Sequence, residues 1–232
     1  MEEILDHYGS LLSRIDDWFR ACLGSSGDRI RCADGCSDCC RGLFDITLLD
    51  AAFLRRGFDR LDPEVRGQVL DRCRERIAGL GLVWPEFDQP FILNMRPEDE
   101  WEALMPDDDE TPCPLLDQRG RCLVYGYRPM TCRLHGLPLI DVSGEIMHDE
   151  WCTLNYMDAD PLADPALRGD FNRIFTEEVR LIRTFAGRLL GHPLSEVDTF
   201  IPTALVIAFD SIDWLSWGNR LAALSLPDAG SK

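Results

Sequence analysis

Apolar residues recur at helical spacing over the first part of the chain, and they form a single stripe. The stripe consists of Ile4, Leu5, Tyr8, Leu11, Leu12, Ile15, Trp18, Phe19 and Cys22. This period places every member on one face of a helix, with polar residues on the other face. The Gly-Ser-Ser-Gly segment at residues 24–27 then stops the pattern. We therefore expect an amphipathic N-terminal helix that ends there.

Two more helices are indicated by their starting signals. Thr47 can cap the first, with Asp50 three residues on in the capping-box position and Gly57 as the stop. The second begins at Asp62-Pro63, a capping residue followed by proline at the first helical position. Its apolar stripe is Val65, Val69, Leu70, Cys73 and Ile77.

Residues 81–112 show neither the helical nor the strand spacing of apolar residues, and they carry several prolines and acidic runs. Four aromatic residues lie among them: Trp84, Phe87, Phe91 and Trp101. A long loop of this kind either covers a site or forms a surface insertion. The surface insertion is the interpretation that the composition favours.

Beyond Cys113 the pattern predicts hairpins and then helices. Short apolar runs flank the turn at residues 117–120, and a second pair of runs, 139–140 and 146–147, flanks residues 141–144. A long stripe from Phe171 to Leu189 stops at Gly191, and residues 201–226 predict one or two further helices. The fold class we expect is mainly α (α+β), with helices surrounding a small cysteine-rich core that contains turns and hairpins.

Composition limits the class of protein. The 232 residues fit one domain, with a cysteine-rich core at about 32–152 between an N-terminal helix and a C-terminal helical segment. The net charge of −17 argues against nucleic acid and anionic membranes as partners. The acidic start lacks the features of a secretory signal, and no apolar stretch is long enough to span a membrane. We therefore expect a cytoplasmic protein, whose protein partners the sequence does not identify.

The ten cysteines change this picture most. Cys22 and Cys73 lie on apolar helical stripes, where cysteine packs as a small hydrophobe. The other eight lie in loops and turns, beside Gly, Pro, Asp and Arg: Cys32, Cys36, Cys39, Cys40, Cys113, Cys122, Cys132 and Cys152. In a reducing compartment, clustered cysteines indicate metal ligation rather than disulfides. We take these eight as the candidate metal ligands.

The identity of the metal is left open by these residues. Eight thiolates suit two four-cysteine zinc sites, or one four-iron cluster with thiolates to spare. The chain shows no second C-x2-C knuckle, and the side chains of the adjacent Cys39 and Cys40 should diverge. These points favour an iron–sulfur cluster, of the 4Fe-4S type, over zinc. Arginines are expected beside the sulfurs: Arg41, Arg121 and Arg133 each adjoin a cysteine, and Arg128 precedes Pro129.

The cysteines and their neighbours resemble a known family. The matching elements are C-C-R at 39–41, C-P-L at 113–115, C-x-V-Y at 122–125, R-P-x-x-C-R at 128–133, and the late Cys152. In this order they are similar to the zinc- or iron-chelating cysteine-cluster family, also called YkgJ-like or CxxCxxCC. The resemblance covers about residues 32–152. It departs from the family pattern at Cys32 and Cys36, which are separated by three residues where the family has two.

The resemblance implies a bound zinc or iron centre without a settled reaction. Some related cysteine-cluster proteins act as lysine N-methylases on flagellin, so a metal-cluster-dependent enzyme is the alternative to a metal-binding protein of unknown reaction. The spacing Cys32-x3-Cys36-x2-Cys39 also suggests a radical S-adenosylmethionine enzyme. We disfavour this class because its fold needs strands that alternate with helices, whereas the final part of the chain predicts helices only. No residue is singled out as catalytic.

Overall fold

A computed structural model of the protein describes residues 1–33, 35–106 and 108–224. Its secondary structure is 54% helix and 8% strand, which confirms the mainly α class with a small β component. The α-helices are α1 (Glu2–Ser26), α2 (Leu48–Phe58), α3 (Pro63–Val83), α4 (Glu98–Glu102), α5 (Met130–Leu134), α6 (Phe171–Leu190), α7 (Ile201–Ala204) and α8 (Trp214–Leu224). The described chain also contains short 3-10 turns, including Leu93–Met95 and Tyr125–Tyr127.

The predicted helix signals act as expected at most positions. The Thr47 hydroxyl accepts from the Asp50 backbone N–H (3.0 Å) and caps α2, and the Asp62 carboxylate accepts from the Glu64 N–H (2.8 Å) and caps α3. At the end of α6, Gly191 adopts φ 76°, the left-handed conformation that glycine adopts without strain. Gly57 does not end α2, which continues to Phe58; it packs against the ring of Tyr127 instead.

The strands form two small sheets. Among the described residues the strands are β1 (Asp45–Thr47), β2 (Leu139–Asp141), β3 (Ile146–His148), β4 (Arg168–Gly169) and β5 (Asp198–Phe200). β2 and β3 form the predicted second hairpin, with Leu139 opposite His148, and β4 pairs parallel to β2. The predicted first hairpin is reduced to a turn closed by one bridge between Leu116 and Cys122. β1 and β5 pair antiparallel, a pairing that the sequence pattern did not predict.

The core joins both ends of the described chain. The apolar stripe of α1 packs against α2, α5 and α6, and α8 packs on α6. Cys22 and Cys73 are both fully buried, as expected for packing cysteines. The predicted final helices are α7 and α8, which are separated by a turn; Leu226, where the predicted stretch ends, lies outside the described residues.

The segment after α3 is the main departure from expectation. Trp84, Phe87, Phe91 and Trp101 are each no more than 8% exposed, so the segment contributes to the core rather than forming a surface insertion. The rings of Trp84 and Phe87 stack at 4.5 Å between centroids, and Phe87 also meets Phe200 edge-on. Burying large aromatic side chains provides much of the apolar contact in a core. No α-helix among the described residues is long and apolar enough to cross a membrane.

Gly218 provides a test of the α6–α8 packing. A Cβ at this position would lie 1.9 Å from the backbone oxygen of Leu190, so Gly218→Ala forces the two helices apart. We expect a loss of about 2–3 kcal/mol in the free energy of unfolding, measured by urea titration. The matched control is Gly67→Ala in α3, where a Cβ meets nothing within 4 Å. That variant should gain up to about 1 kcal/mol from helix propensity, and equal effects of both changes would contradict the described packing.

Candidate metal centre

The first four candidate ligands lie in the loop between α1 and β1. Two backbone hydrogen bonds fold this loop into consecutive turns: Cys36 N–H donates to the Ala33 carbonyl (3.0 Å), and Cys40 N–H to the Ser37 carbonyl (2.9 Å). Gly35 makes this possible with φ 88°. All four cysteines of this loop line one cavity, which is described below.

A second loop fixes Cys113 and Cys122 against the first one. The Cys113 N–H donates to the Cys40 carbonyl (2.8 Å), so these two cysteines are held together by their backbones. The Asp117 carboxylate accepts from the backbone of Arg119 and Arg121 (2.8 Å each), which closes the turn before Cys122. The predicted turn is therefore the element that brings Cys122 back to Cys113.

Cys132 and Cys152 come from two other elements. Cys132 lies in the five-residue helix α5, which begins after Pro129 as the Arg-Pro step predicts. Cys152 follows β3, and its N–H donates to the Gly136 carbonyl (3.3 Å). Gly136 has φ 106°, and a Cβ there would lie 3.4 Å from the Cys32 sulfur. The segments of Cys32 and Cys152 therefore meet at Gly136.

Seven of the eight candidate cysteines line one cavity of about 520 Å³, which we call the cysteine cavity. They are Cys32, Cys36, Cys39, Cys40, Cys113, Cys122 and Cys132. Cys152 is not part of this lining, but it lies close enough to Cys32 to raise the pKa of that thiol, after the larger effect of burial. His135 contributes to the lining as well. Cysteines up to 100 positions apart in the chain, Cys32 and Cys132, therefore share one cavity.

Burial holds these thiols in the neutral form. It raises the pKa of Cys113 to about 12, and it raises the pKa of Cys122 and, most strongly, that of Cys132. A hydrogen bond with Cys40, together with burial, raises the pKa of Cys39. The protein environment alone therefore does not generate thiolates here; a bound metal cation would supply the positive charge that stabilises them.

Two of the expected arginines lie at the cavity and are fixed by α1. The Arg133 guanidinium is 3% exposed; it pairs with Asp16 and donates to the Gly126 carbonyl (2.9 Å). Arg128 pairs with the other Asp16 oxygen (3.1 Å) and lies over the Tyr125 ring, 3.8 Å from its centroid. Arg121 lines the cavity too. The structure places Arg41 elsewhere: it lines a neighbouring cavity beside α3 and pairs with Glu110 (3.3 Å).

The donor set fits an anionic thiolate centre. The Nε of Arg128 is a buried donor that has no hydrogen-bond partner among the described residues, and Arg128 lines the cysteine cavity. An unsatisfied buried donor costs free energy, and a thiolate or a cluster sulfide would satisfy it. Within the part of the chain described, no three Cys, His, Asp or Glu side chains yet converge as a ready-made ion site. The thiols thus share a cavity, and ligation requires their side chains to turn towards a common point.

A second cavity, of about 480 Å³, lies on the other side of α5. Thr131 and Leu134 of α5 line it, and His135 lines both cavities. Its carboxylates give it the name acidic cavity: Asp45, Asp50, Glu150, Glu178 and Asp198. Apolar side chains complete the wall, among them Met147, Trp151 and Phe175. A pocket with apolar walls and convergent polar groups is typical of a small-ligand site.

Glu178 is the unusual member of the acidic cavity. It lies on the apolar stripe of α6, between Ile174 and Leu181, yet it has no hydrogen-bond or ion-pair partner among the described residues. Burial, followed by the charges of Asp50 and Asp198, raises the pKa of Glu178 to about 8. Burial likewise raises the pKa of Asp198 to about 7, although Asn94 donates to its carboxylate (3.0 Å).

Sequence reasoning missed three residues that contact or line these sites. Asn155 is 1% exposed and donates from Nδ2 to the Gly136 carbonyl (2.7 Å) and to the Cys32 sulfur (3.4 Å). Asp16, which fixes both arginines, lies among the polar residues of α1, and no local signal distinguishes it. Glu178 had a signal: a carboxylate that interrupts an apolar stripe.

Comparison with known proteins identifies one relationship. The model of the family CxxCxxCC, described as "Putative zinc- or iron-chelating domain", matches residues 31–153, which include all eight candidate cysteines. No curated protein and no solved structure shows significant similarity to the chain.

The raised pKa of Glu178 predicts a pH-dependent stability. Because the folded-state pKa of about 8 lies above the ordinary value of 4.5, the stabilisation that Glu178 confers is complete below about pH 4.5. It is lost as the pH rises through 8. Glu178→Gln removes this loss, so the variant should be more stable than the parent protein by about 2 kcal/mol at pH 8.5 and nearly equal to it at pH 5.

The groups that face Glu178 set the control for this measurement. Tyr8 of α1, Asp50 of α2, Asp198 of β5 and His135 after α5 lie around it. The matched control is Glu177→Gln, which removes the adjacent carboxylate, one that pairs with Arg14 (2.6 Å) outside the acidic cavity. This substitution should lower the free energy of unfolding by at most about 1 kcal/mol. Equal denaturant midpoints for Glu178→Gln and the parent at pH 8.5 would contradict a partly buried carboxylate without a partner among the described residues.

Proposed function

Because the chain belongs to the CxxCxxCC family of zinc- or iron-chelating domains, we propose that it is a metal-binding protein whose cysteine cavity holds an iron–sulfur cluster or zinc. The observation that supports this most directly is the gathering of seven predicted cysteines around one cavity. They come from three separate segments, so it is the fold and not local spacing that unites them. The proposed ligands are these seven and Cys152.

An iron–sulfur cluster, of the 4Fe-4S type, is the favoured occupant. Zinc in a structural site needs four sulfurs at about 2.3 Å from one ion, which is a tight convergence. The cavity that these thiols line, of about 520 Å³, has room for a cluster of four irons and four sulfides. The guanidinium groups of Arg121, Arg128 and Arg133 also suit the negative charge of a four-thiolate cluster, and hydrogen bonds to sulfur raise its reduction potential.

The metal itself can be measured directly. We expect protein purified without oxygen to contain iron and sulfide in stoichiometric amount and to be brown; a colourless protein with stoichiometric zinc would replace the cluster by the zinc alternative. Cys132→Ser should lose most of the metal, because this thiol lines the cysteine cavity together with those of Cys113 and Cys122. The matched control is Cys22→Ala, which removes a buried thiol outside the cavity and should keep the full metal content. Parent protein with neither metal would overturn the proposal.

A second candidate function, a metal-cluster-dependent enzyme such as a protein-lysine N-methylase, is favoured by the acidic cavity. Its carboxylates provide a site for an ammonium group, and its apolar walls suit the methylene stem of a lysine side chain. In such a reaction the methyl group would pass from the sulfonium of S-adenosylmethionine to the amine nitrogen. S-adenosylhomocysteine would leave, and the proton of the amine would pass to a carboxylate of the cavity.

Incubation of the metal-loaded protein with S-adenosylmethionine and a lysine-containing peptide tests this candidate. Mass spectrometry should then show methylated lysine together with S-adenosylhomocysteine. Asp198→Asn should reduce the yield at least tenfold, because it removes a carboxylate from the cavity wall. Asp210→Asn, a change far from this lining, is the matched control. Absence of methyl transfer by fully loaded protein would leave metal binding as the proposed function.

A further inference from the structure

Arg133 and Arg128 both line the cysteine cavity, but their guanidinium groups are bonded differently. Each of the three Arg133 nitrogens has a partner. Its Nε donates to the Arg128 carbonyl (3.0 Å), and its Nη2 donates to the Gly126 carbonyl (2.9 Å). Its Nη1 pairs with Asp16. The bonds of Arg133 are therefore all made within the protein, and its role is to tie this loop to α1.

Arg128 has one nitrogen without a partner. Its Nη2 pairs with Asp16 (3.1 Å), and its guanidinium lies over the Tyr125 ring, but its buried Nε binds nothing among the described residues. In the chain Arg128 lies between Cys122 and Cys132, and all three residues line the cysteine cavity. A buried N–H without an acceptor costs free energy, and an anion in this cavity would provide the acceptor.

Asp16 holds both guanidinium groups in this arrangement. Its Oδ1 accepts from Arg128 and its Oδ2 from Arg133. Asp16 lies on α1, and it lines the cysteine cavity together with Phe19 and Leu23 of the same helix. The family model matches from residue 31 onwards, so this wall of the cavity comes from outside the matched residues.

Resting on the metal-binding function proposed above, we propose that Arg128 donates from Nε to a sulfur of the metal centre and that Asp16 is the residue that positions Arg128 for this bond. Arg133 completes the arrangement, because it binds both Asp16 and the Arg128 carbonyl. Groups that hydrogen-bond to the ligands of a metal typically change its affinity by about 10–100-fold. A residue of α1 thereby contributes to the stability of the centre.

The substitution Asp16→Asn separates positioning from a general effect of charge. Asp16 is an anion at the wall of a cavity that would hold an anionic thiolate centre, so loss of its charge alone should stabilise the centre and slow the release of metal. If Asp16 positions Arg128, the same substitution releases the guanidinium, and the centre loses a hydrogen bond. We therefore expect Asp16→Asn to release its metal to a chelator at least about tenfold faster than the parent protein.

The rate of metal release from the protein as purified, with EDTA as the chelator and elemental analysis of what remains bound, measures this effect. Arg128→Gln should also release metal at least about tenfold faster than the parent. The double variant Asp16→Asn/Arg128→Gln should stay within about twofold of Arg128→Gln, since Asp16 acts through Arg128. The matched control is Asp17→Asn, which removes the adjacent carboxylate, one that pairs with the exposed Arg20, and should leave the rate unchanged.

A second readout distinguishes a bond to sulfur from a loosened fold. With cobalt(II) as the probe, a four-thiolate site gives a sulfur-to-cobalt absorption band. A hydrogen bond lowers the energy of the sulfur lone pairs, so its loss in Asp16→Asn and Arg128→Gln should move the band to longer wavelength. Faster release of metal with an unshifted band would assign these residues to the fold alone and would overturn the inference.

The outcomes also separate this inference from the proposed function. Release from Asp16→Asn at the rate of the parent or slower overturns the role of Asp16 and leaves metal binding intact. Parent protein without metal overturns both. If circular dichroism shows that Asp16→Asn is unfolded, Asp16→Glu replaces it, because this variant keeps the charge and displaces both guanidinium groups. An unchanged rate in Asp16→Glu is then the contradicting result.

Discussion

One buried carboxylate, that of Asp50, joins the elements around which the rest of the structure is arranged. Asp50 is 3% exposed, and its oxygens accept from the Tyr8 hydroxyl of α1 (2.7 Å) and from the Met130 N–H at the start of α5 (3.0 Å). The hydroxyl of Thr47, the cap of α2, donates to the same carboxylate (3.2 Å). Burial raises the pKa of Asp50, whereas these hydrogen bonds oppose that rise. A buried carboxylate destabilises a fold unless hydrogen-bond donors surround it. The donors of Asp50 come from α1, α5 and the cap of α2, so the positions of these three helices depend on one another.

The position of α5 matters because this helix carries Cys132 and separates the two cavities. A helix of five residues has too few internal hydrogen bonds to be stable alone. Asp50 provides an acceptor for its first N–H, and Arg133 fastens its other side to Asp16 of α1. The short helix is therefore held from both faces. The Asp50 carboxylate binds it on the side of the acidic cavity, and the Arg133 guanidinium ties it to α1 on the side of the cysteine cavity.

The sequence predicted the helix boundaries and the hairpin that depend on residues close together in the chain. The stripe of α1, the Asp62-Pro63 start of α3, the Gly191 stop of α6 and the hairpin of β2 and β3 were confirmed, because caps, turns and period act within a few residues. The family was also recognised from short motifs in their order. The role of the eight cysteines as ligands stays a prediction.

The sequence did not predict the contacts between residues that lie far apart in the chain. β1 pairs with β5 across about 150 residues, and two three-residue strands carry no pattern that distinguishes partners. The aromatic residues after α3 were assigned to a surface loop because irregular backbone and acidic runs are typical of one. Their burial depends on Phe200, which arrives from the far end of the chain. Asp16 and Asn155 likewise acquire their roles only from partners that the fold supplies.

Groups of opposite charge lie in the two cavities on either side of α5. A chain with a net charge of −17 places four arginines at the cysteine cavity, Arg20, Arg121, Arg128 and Arg133, and concentrates carboxylates in the cavity on the opposite face of this short helix. Thiolate centres are anionic, and the arginines offset that charge; the acidic cavity would repel an anion and attract a cation. His135 lines both cavities, so its imidazole borders the thiols on one side and the carboxylates on the other.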